Sequence, residues 1–253
     1  MNPEEKRPAV GLTLVPTMQK GIKLLRRDGI VATAAVVASV IEDGYLRVFD
    51  RRYGVRTSGY LQLANTSVGE AGARRGHRYR AVNAWAFKQV LARLAPPKDS
   101  SFVDLGCGLG RACLLAADYG FNRVRGVDMV PEFCAQAGDN VKNFCAAGKN
   151  RTSVEILLED AVDYSRRSDD DIVFLYNPFP APVLEMVLAN LIAQAAHHQR
   201  PVWIIYSERT LETSRTLVML EEKTALKRMF FHSSWGQAFH AFKIINPDAI
   251  NVN

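Results

Sequence analysis

Cysteine is scarce. The 253 residues hold four, Cys107, Cys113, Cys134 and Cys145, with no C-x-x-C pair among them. No histidine stands at a spacing that would complete a metal site with them. Neither a disulfide framework nor a bound metal is expected; small buried thiols in a reducing cytosol are the plain reading. Long apolar runs are missing too. The longest uncharged stretch, "GIVATAAVVASVI" from Gly29 to Ile41, has 13 residues, and a spanning helix needs about 20. It starts too late, and lacks the following cleavage pattern, for a secretory signal. A cytoplasmic protein without a transmembrane segment is expected. There is no internal repeat and no low-complexity tract. Acidic residues are the scarcer sign, 26 against 32 basic, for a net charge of +6. The excess collects early, at Lys20, Lys23, Arg26 and Arg27, then Arg47, Arg51, Arg52 and Arg56, then Arg74, Arg75, Arg78 and Arg80. Such a segment can meet phosphates, an acidic membrane surface or an acidic partner, although a solvated helix face is the commoner explanation.

What is present is ordinary globular material, 48% hydrophobic and 23% charged, enough for one α/β core with an appendage. Residues 1–17, with three prolines, read as loose chain. Residues 18–49 read as helical, with a break near Asp28–Gly29, and their apolar residues need a surface to pack on, either the main domain or a second copy of the chain. The glycine- and arginine-rich stretches Asp50–Leu63 and Gly69–Tyr79 read as surface loops. In "AVNAWAFKQVLARLAPP" the residues Val82, Trp85, Phe87, Val90, Leu91 and Leu94 recur at helical spacing until Pro96–Pro97. Beyond that, strands alternate with helices. Strands are expected at Ser101–Leu105, Arg123–Val127, Val154–Leu158, Asp171–Tyr176 and Pro201–Ser207. Helices are expected at Arg111–Tyr119, Pro131–Ala147, Pro182–His197 and Leu211–Glu221. The tail "ALKRMFFH–SSWG–QAFHAFKII" reads as a hairpin. Alternation of this kind predicts a mainly parallel sheet covered on both faces, closed by one antiparallel hairpin. The expected division is an N-terminal helical and loop extension, residues 1–75, and an α/β domain, residues 76–253.

The strongest local signal is "FVDLGCGLGR", Phe102 to Arg111. A buried strand delivers Asp104, and Gly106, Gly108 and Gly110 then turn the chain into a helix. Glycines at alternate positions let backbone approach a ligand closely. A dinucleotide fingerprint would require glycine at 111, and this chain has arginine. A carboxylate at 104 would also repel a pyrophosphate but attract a cationic amino-acid moiety. Asp128, ending "VRGVD" one strand later, lies at the same carboxyl edge, where it can accept both hydroxyls of a ribose; Met129 beside it offers an apolar face for a purine. Glu159–Asp160 closes a third strand. The run Ile172–Tyr176 then stops at Asn177–Pro178–Phe179–Pro180, an odd place for an amide unless turn chemistry or a ligand needs it.

"DLGCGLGR", "GVD", "EDA" and "LYNPF", in that order over residues 76–245, resemble the motifs of class I S-adenosylmethionine-dependent methyltransferases. The resemblance implies a Rossmann-like, seven-stranded, mostly parallel sheet with helices on both faces and S-adenosyl-L-methionine as cofactor. It places Asp104 near the methionine moiety, Asp128 on the ribose, and Asp160 on adenine. The cofactor-binding set it implies is Tyr79, Asp104, Leu105, Gly106, Cys107, Gly108, Gly110, Asp128, Met129, Asp160, Ala161 and Asn177. "FDRRYGVRTSG" followed by "GHRYRA" resembles a bacterial subgroup of that superfamily, with Ala81 where the subgroup often has proline. "NPF" resembles the N-P-P-[YFW] motif of amino-methylating members, in which the asparagine oxygen and a proline carbonyl accept from the target N–H and an aromatic ring stacks on it. Here position 179 is already the aromatic. By that likeness Asn177, Pro178 and Phe179 are the expected catalytic residues. The expected acceptor is nitrogen on a protein side chain or small molecule. The alternatives are a nucleic-acid acceptor using the basic segment, or a non-catalytic cofactor-binding regulator. No residue is an obvious base; Tyr176, Asp104 and Glu208 qualify by location. His197–His198 suit a helix C-terminus, and Trp235 could cover the sheet or touch substrate.

Overall fold

A computed structural model of the chain describes residues 44, 47–58, 60–61, 66–69, 74–77, 79–147, 152–197, 200–209, 215–234 and 236–245. The expected helices of residues 18–43, and Trp235 and His198, lie outside these residues. One compact unit comprises Asp43–Asn253. The elements of this unit, in chain order, are β1 Tyr60–Leu61, β2 Tyr79–Arg80, α1 Ala84–Leu94, β3 Ser101–Leu105, α2 Arg111–Tyr119, β4 Arg123–Asp128, α3 Pro131–Ala146 and β5 Ser153–Leu158. They continue with α4 Ala161–Ser165, β6 Ile172–Tyr176, α5 Ala181–Ala195, β7 Trp203–Arg209, α6 Arg215–Glu222, β8 Leu226–Ser234 and β9 Gln237–Ile244.

Seven strands form one sheet in the order β5-β4-β3-β6-β7-β9-β8. Strands β3 to β7 pair in parallel, and β9 joins β7 antiparallel with β8 outside it. Side chains of the central strands alternate between two apolar layers, as period-two geometry requires. Phe102, Ile172 and Phe174 enter a layer with Phe87, Phe121 and Phe239. Val103, Leu105, Val173 and Leu175 enter the opposite layer with Leu184, Val187 and Leu188. Both faces are covered, so these strands read as continuous apolar runs. Helix α1 starts where the Asn83 Oδ1 accepts from the backbone N–H of Trp85 and of Ala86, an N-cap worth about 1 kcal/mol.

The sheet order reverses between β4 and β6 on either side of β3. That is the switch point at whose carboxyl edge open α/β folds bind ligands. Asp104, Asp128, Asp160 and Asn177 all fall at or beside that edge.

The N-terminal reading changes. Residues 47–53 are helical, so the expected loop from Asp50 begins after Tyr53, and the two glycine-rich stretches carry the antiparallel pair β1–β2. Phe49, Tyr53 and Val55 belong to the same apolar layer as Phe87 and Phe102, so a boundary at 75/76 does not divide this core. Trp85, expected inside, is 47% exposed, because the buried stripe of α1 runs through Ala86, Phe87, Val90 and Leu91.

Candidate active site

The loop after β3 turns on glycines in the left-handed region. Gly106 has φ 83, and a Cβ there would stand 2.6 Å from the Pro178 Cβ. Gly108 has φ 52, and its Cβ would stand 2.0 Å from the Tyr79 ring. The two glycines therefore seat protein as well as leaving backbone bare: Pro178 closes on one and Tyr79 on the other. Tyr79 is buried, its hydroxyl donates to the Thr57 carbonyl at 2.6 Å, and burial raises its pKa.

Asp128 is 9% exposed and already oriented. Its Oδ2 accepts from Gly108 N–H at 2.8 Å and its Oδ1 from Val130 N–H at 2.9 Å. Burial pushes its pKa up, and the backbone N–H groups that favour the ionised form hold it back. Each oxygen retains a second lone pair for a hydroxyl donor. Asp104 is 4% exposed, and burial, with the Asp128 charge, raises its pKa well above the usual carboxylate range. It lines a small cavity next to the main cleft, together with Tyr79, Gly106 and Arg111.

Arg111, the residue that broke the dinucleotide pattern, is a clasp. It is 1% exposed, and its Nη2 donates to Asp50 Oδ1 at 2.8 Å and to Ser58 Oγ at 3.0 Å. Its Nε donates to Thr57 Oγ1 at 2.7 Å, and the guanidinium lies over the Phe49 ring. Asp50 in turn accepts from the Thr57 N–H, the Thr57 hydroxyl and the Ser58 N–H. "FDRRYGVRTS", residues 49–58, is thus a strap tied to the end of the glycine loop through Arg111.

The cleft above these residues encloses about 660 Å³ of empty space, open solvent included. Gly106, Gly108, Asp128, Met129, Asp160, Ala161, Tyr79, Pro178 and Phe179 line it, so most of the expected set is brought together. Four are not. Leu105 and Cys107 turn their side chains into the core, Cys107 against Gly126. Gly110 packs on Ala137 and serves the entry to α2. Asn177 stands outside the lining, and its Oδ1 accepts from the Tyr206 hydroxyl at 3.0 Å. Glu208 is also away from the cleft, buried beside His240 at 3.9 Å.

The cleft's remaining wall was missed from sequence. Arg75 Nη2 donates to Asp160 Oδ2 at 2.5 Å, while the other Asp160 oxygen caps α4 through Val162 N–H. His77 N–H donates to the Pro178 carbonyl, and its ring meets the Asn177 carbonyl. The one signal available was the "GHRYRA" likeness, which singled out Tyr79 and passed over His77.

Residues 103–179 match the family described as "Methyltransferase domain". The match begins inside β3, ends at Phe179, and spans the glycine loop, Asp128, Asp160 and the N-P-F turn. This stretch of the chain is a methyltransferase domain. Curated proteins returned no match. Among solved structures, the methyltransferase is similar to magnesium protoporphyrin IX methyltransferase from Synechocystis PCC 6803 with bound SAM. Identity there is 14% over 82% of this chain and 97% of that one, with a TM-score of 0.49. It is similar to an RNA methyltransferase from Salinibacter ruber in complex with S-adenosyl-L-homocysteine, at 18% identity over 62% of this chain and 89% of that one, TM-score 0.45. An N-methyltransferase from Bradyrhizobium japonicum has 15% identity over 62% of this chain and 93% of that one, TM-score 0.47. Likenesses at this level carry no argument about what the methyltransferase acts on. Among the described residues no helix is long and apolar enough to cross a membrane.

Proposed function

We propose that this methyltransferase transfers the methyl group of S-adenosylmethionine to nitrogen on a protein side chain or a small-molecule amine. The observation that carries the reading is the meeting, in one cleft, of a preoriented carboxylate and the N-P-F turn: Asp128 lies on one side, and Pro178 with Phe179 on the other, both against the Gly106 loop. The donor supplies an activated methyl on a sulfonium. The chain's residues fit it. Asp128, held by two backbone N–H groups, keeps lone pairs for the ribose hydroxyls. Asp104 is a buried carboxylate that a ligand ammonium would bring back to its charged form. Met129 and Ala161 give an apolar face for the purine, and Asp160 stands at its edge.

Phe179, 9% exposed and beside Gly106, presents its ring to the acceptor and helps exclude water. Displacement at a methyl carbon needs the acceptor lone pair in line, so this wall contributes by orientation. A second reading, a nucleic-acid acceptor, is favoured by Arg47, Arg51, Arg52 and Arg56, which are exposed on the strap side. One experiment separates the two: the purified protein is incubated with methyl-labelled donor and fractionated lysate. Label in protein or small molecules supports the amine reading. Label in nucleic acid, lost steeply with added salt, replaces it, and a protein that fails to bind the donor refutes both.

A further inference from the structure

His77 stands in the cleft wall on the stretch leading into β2. Two bonds fix it against the end of β6. Its N–H donates to the Pro178 carbonyl at 2.8 Å, and its ring Nδ1 lies 2.8 Å from the Asn177 carbonyl oxygen. A carbonyl oxygen can only accept, so Nδ1 must carry the hydrogen. A neutral imidazole has one ring hydrogen, which leaves Nε2 as a bare acceptor. The Asn177 carbonyl is itself aimed by an uncommon backbone: the residue sits at φ 39, in the left-handed region that asparagine tolerates better than most. The Tyr206 hydroxyl, donating to the Asn177 side chain, holds it there. The ring is exposed, so a proton taken up at Nε2 can pass to water.

Other titratable groups of the cleft are engaged or differently placed. Asp128 serves two backbone N–H groups, Asp160 serves Arg75 and Val162 N–H, and Glu159 pairs with Arg167. Tyr79, whose hydroxyl donates to the Thr57 carbonyl, Arg80 and the Tyr176 ring complete the charged or titratable lining.

We propose that His77 is the general base of the transfer, with Asn177 and Tyr206 as positioning residues that fix its tautomer. This rests on the amine reading above. The acceptor enters as an ammonium, whose proton passes to His77 Nε2 and then to solvent. The freed lone pair forms the bond to the methyl carbon as the sulfur–carbon bond breaks, its electron pair remaining on sulfur. Charge and atoms balance without a further reactant. Asparagine at the end of β6 then has two duties: its backbone carbonyl orients His77, and its side-chain oxygen, held by Tyr206, fixes the turn.

The test begins without an acceptor. In the 15N-labelled protein, long-range proton–nitrogen correlation should show His77, identified by its loss in His77→Asn, as the Nδ1–H tautomer. An Nε2–H tautomer overturns the proposal whatever the acceptor proves to be. Asparagine places an amide N–H where Nδ1–H stands, so His77→Asn should keep its hold on Asn177 and bind S-adenosylmethionine within about twofold of wild type by calorimetry. With the lysate fraction that wild type labels, its single-turnover rate at saturating donor should fall about 100-fold or more. The acidic limb of the pH–rate profile should vanish with it. His77→Gln, with its amide where Nε2 stands, should be at least as slow. Wild-type rate and an unchanged acidic limb in His77→Asn would overturn the base role. Failure of the wild type to bind donor would instead sink the methyltransferase reading, which the tautomer does not touch.

Discussion

Replacing Arg111 by methionine should cost about 3 kcal/mol, and replacing Asp50 by asparagine should cost more. Removing one partner of a buried ion pair costs about 3–5 kcal/mol because the other charge stays behind. The two charges differ in what is left to them. In Arg111→Met the Asp50 carboxylate, 14% exposed, still accepts from Thr57 N–H, Thr57 Oγ1 and Ser58 N–H. In Asp50→Asn the deeper charge remains, a guanidinium 1% exposed. At about 2–4 °C per kcal/mol for a unit of this size, Arg111→Met should melt about 6–12 °C below wild type. Urea titration followed by circular dichroism should show a lower midpoint at unchanged slope, with little dependence on salt because the pair is buried. The double variant should lose less than the sum, leaving a coupling of about 1–3 kcal/mol. If both single variants cost under about 1 kcal/mol, the range of an exposed pair, or if their effects simply add, the clasp is not what ties residues 49–58 to the glycine loop.

Asp128→Ala should weaken S-adenosylmethionine binding 10-fold or more in calorimetry, on about 1.5–3 kcal/mol for hydrogen bonds to a charged group; unchanged affinity would remove Asp128 from the site. Asp104 has its folded pKa raised by burial and by Asp128, so the native state binds the extra proton and stability falls as pH rises from the usual carboxylate range toward that raised value. Asp104→Asn should flatten this decline in melting temperature as pH rises above the usual carboxylate range, while weakening donor binding; an unchanged pH slope would refute the assignment. Asn177→Ala loses the bond from Tyr206 and leaves alanine in the left-handed region. It should slow transfer with donor affinity nearly intact, whereas equal loss of both would make the turn a general support of the cleft.

The central sheet was legible because its signals are local. Buried parallel strands are continuous apolar runs, and Asp104, Asp128 and Asp160 stand at or just past the ends of their strands. The edge of the site was not legible, because it is made by contacts distant in sequence. Arg75 meets Asp160 and His77 meets Asn177 across 85 and 100 residues, and no periodicity records such a meeting. Arg111 shows how one residue can carry two messages. Its presence ruled out a dinucleotide loop, while its positive role needed Asp50 and Thr57 in view. Asp50–Leu63 looked like surface loop because arginine and glycine dominate it. Phe49, Tyr53, Val55 and Thr57 are the buried minority that decides where it packs. Asn177 was read as an amide aimed at substrate, yet the geometry spends that amide on Tyr206 and turns the carbonyl to His77.

The stretch holding Arg75 and His77 is fastened at two ends of the strand edge, and the fastenings are unequal. Arg75–Asp160 is an ion pair with side chains 50% and 26% exposed, worth about 0–1 kcal/mol and weakened by salt. His77 is held by two hydrogen bonds onto consecutive carbonyls of a turn that is itself locked. The Arg75 fastening is the weaker of the two, so added salt should loosen this wall at the Asp160 end before it disturbs the His77 bonds.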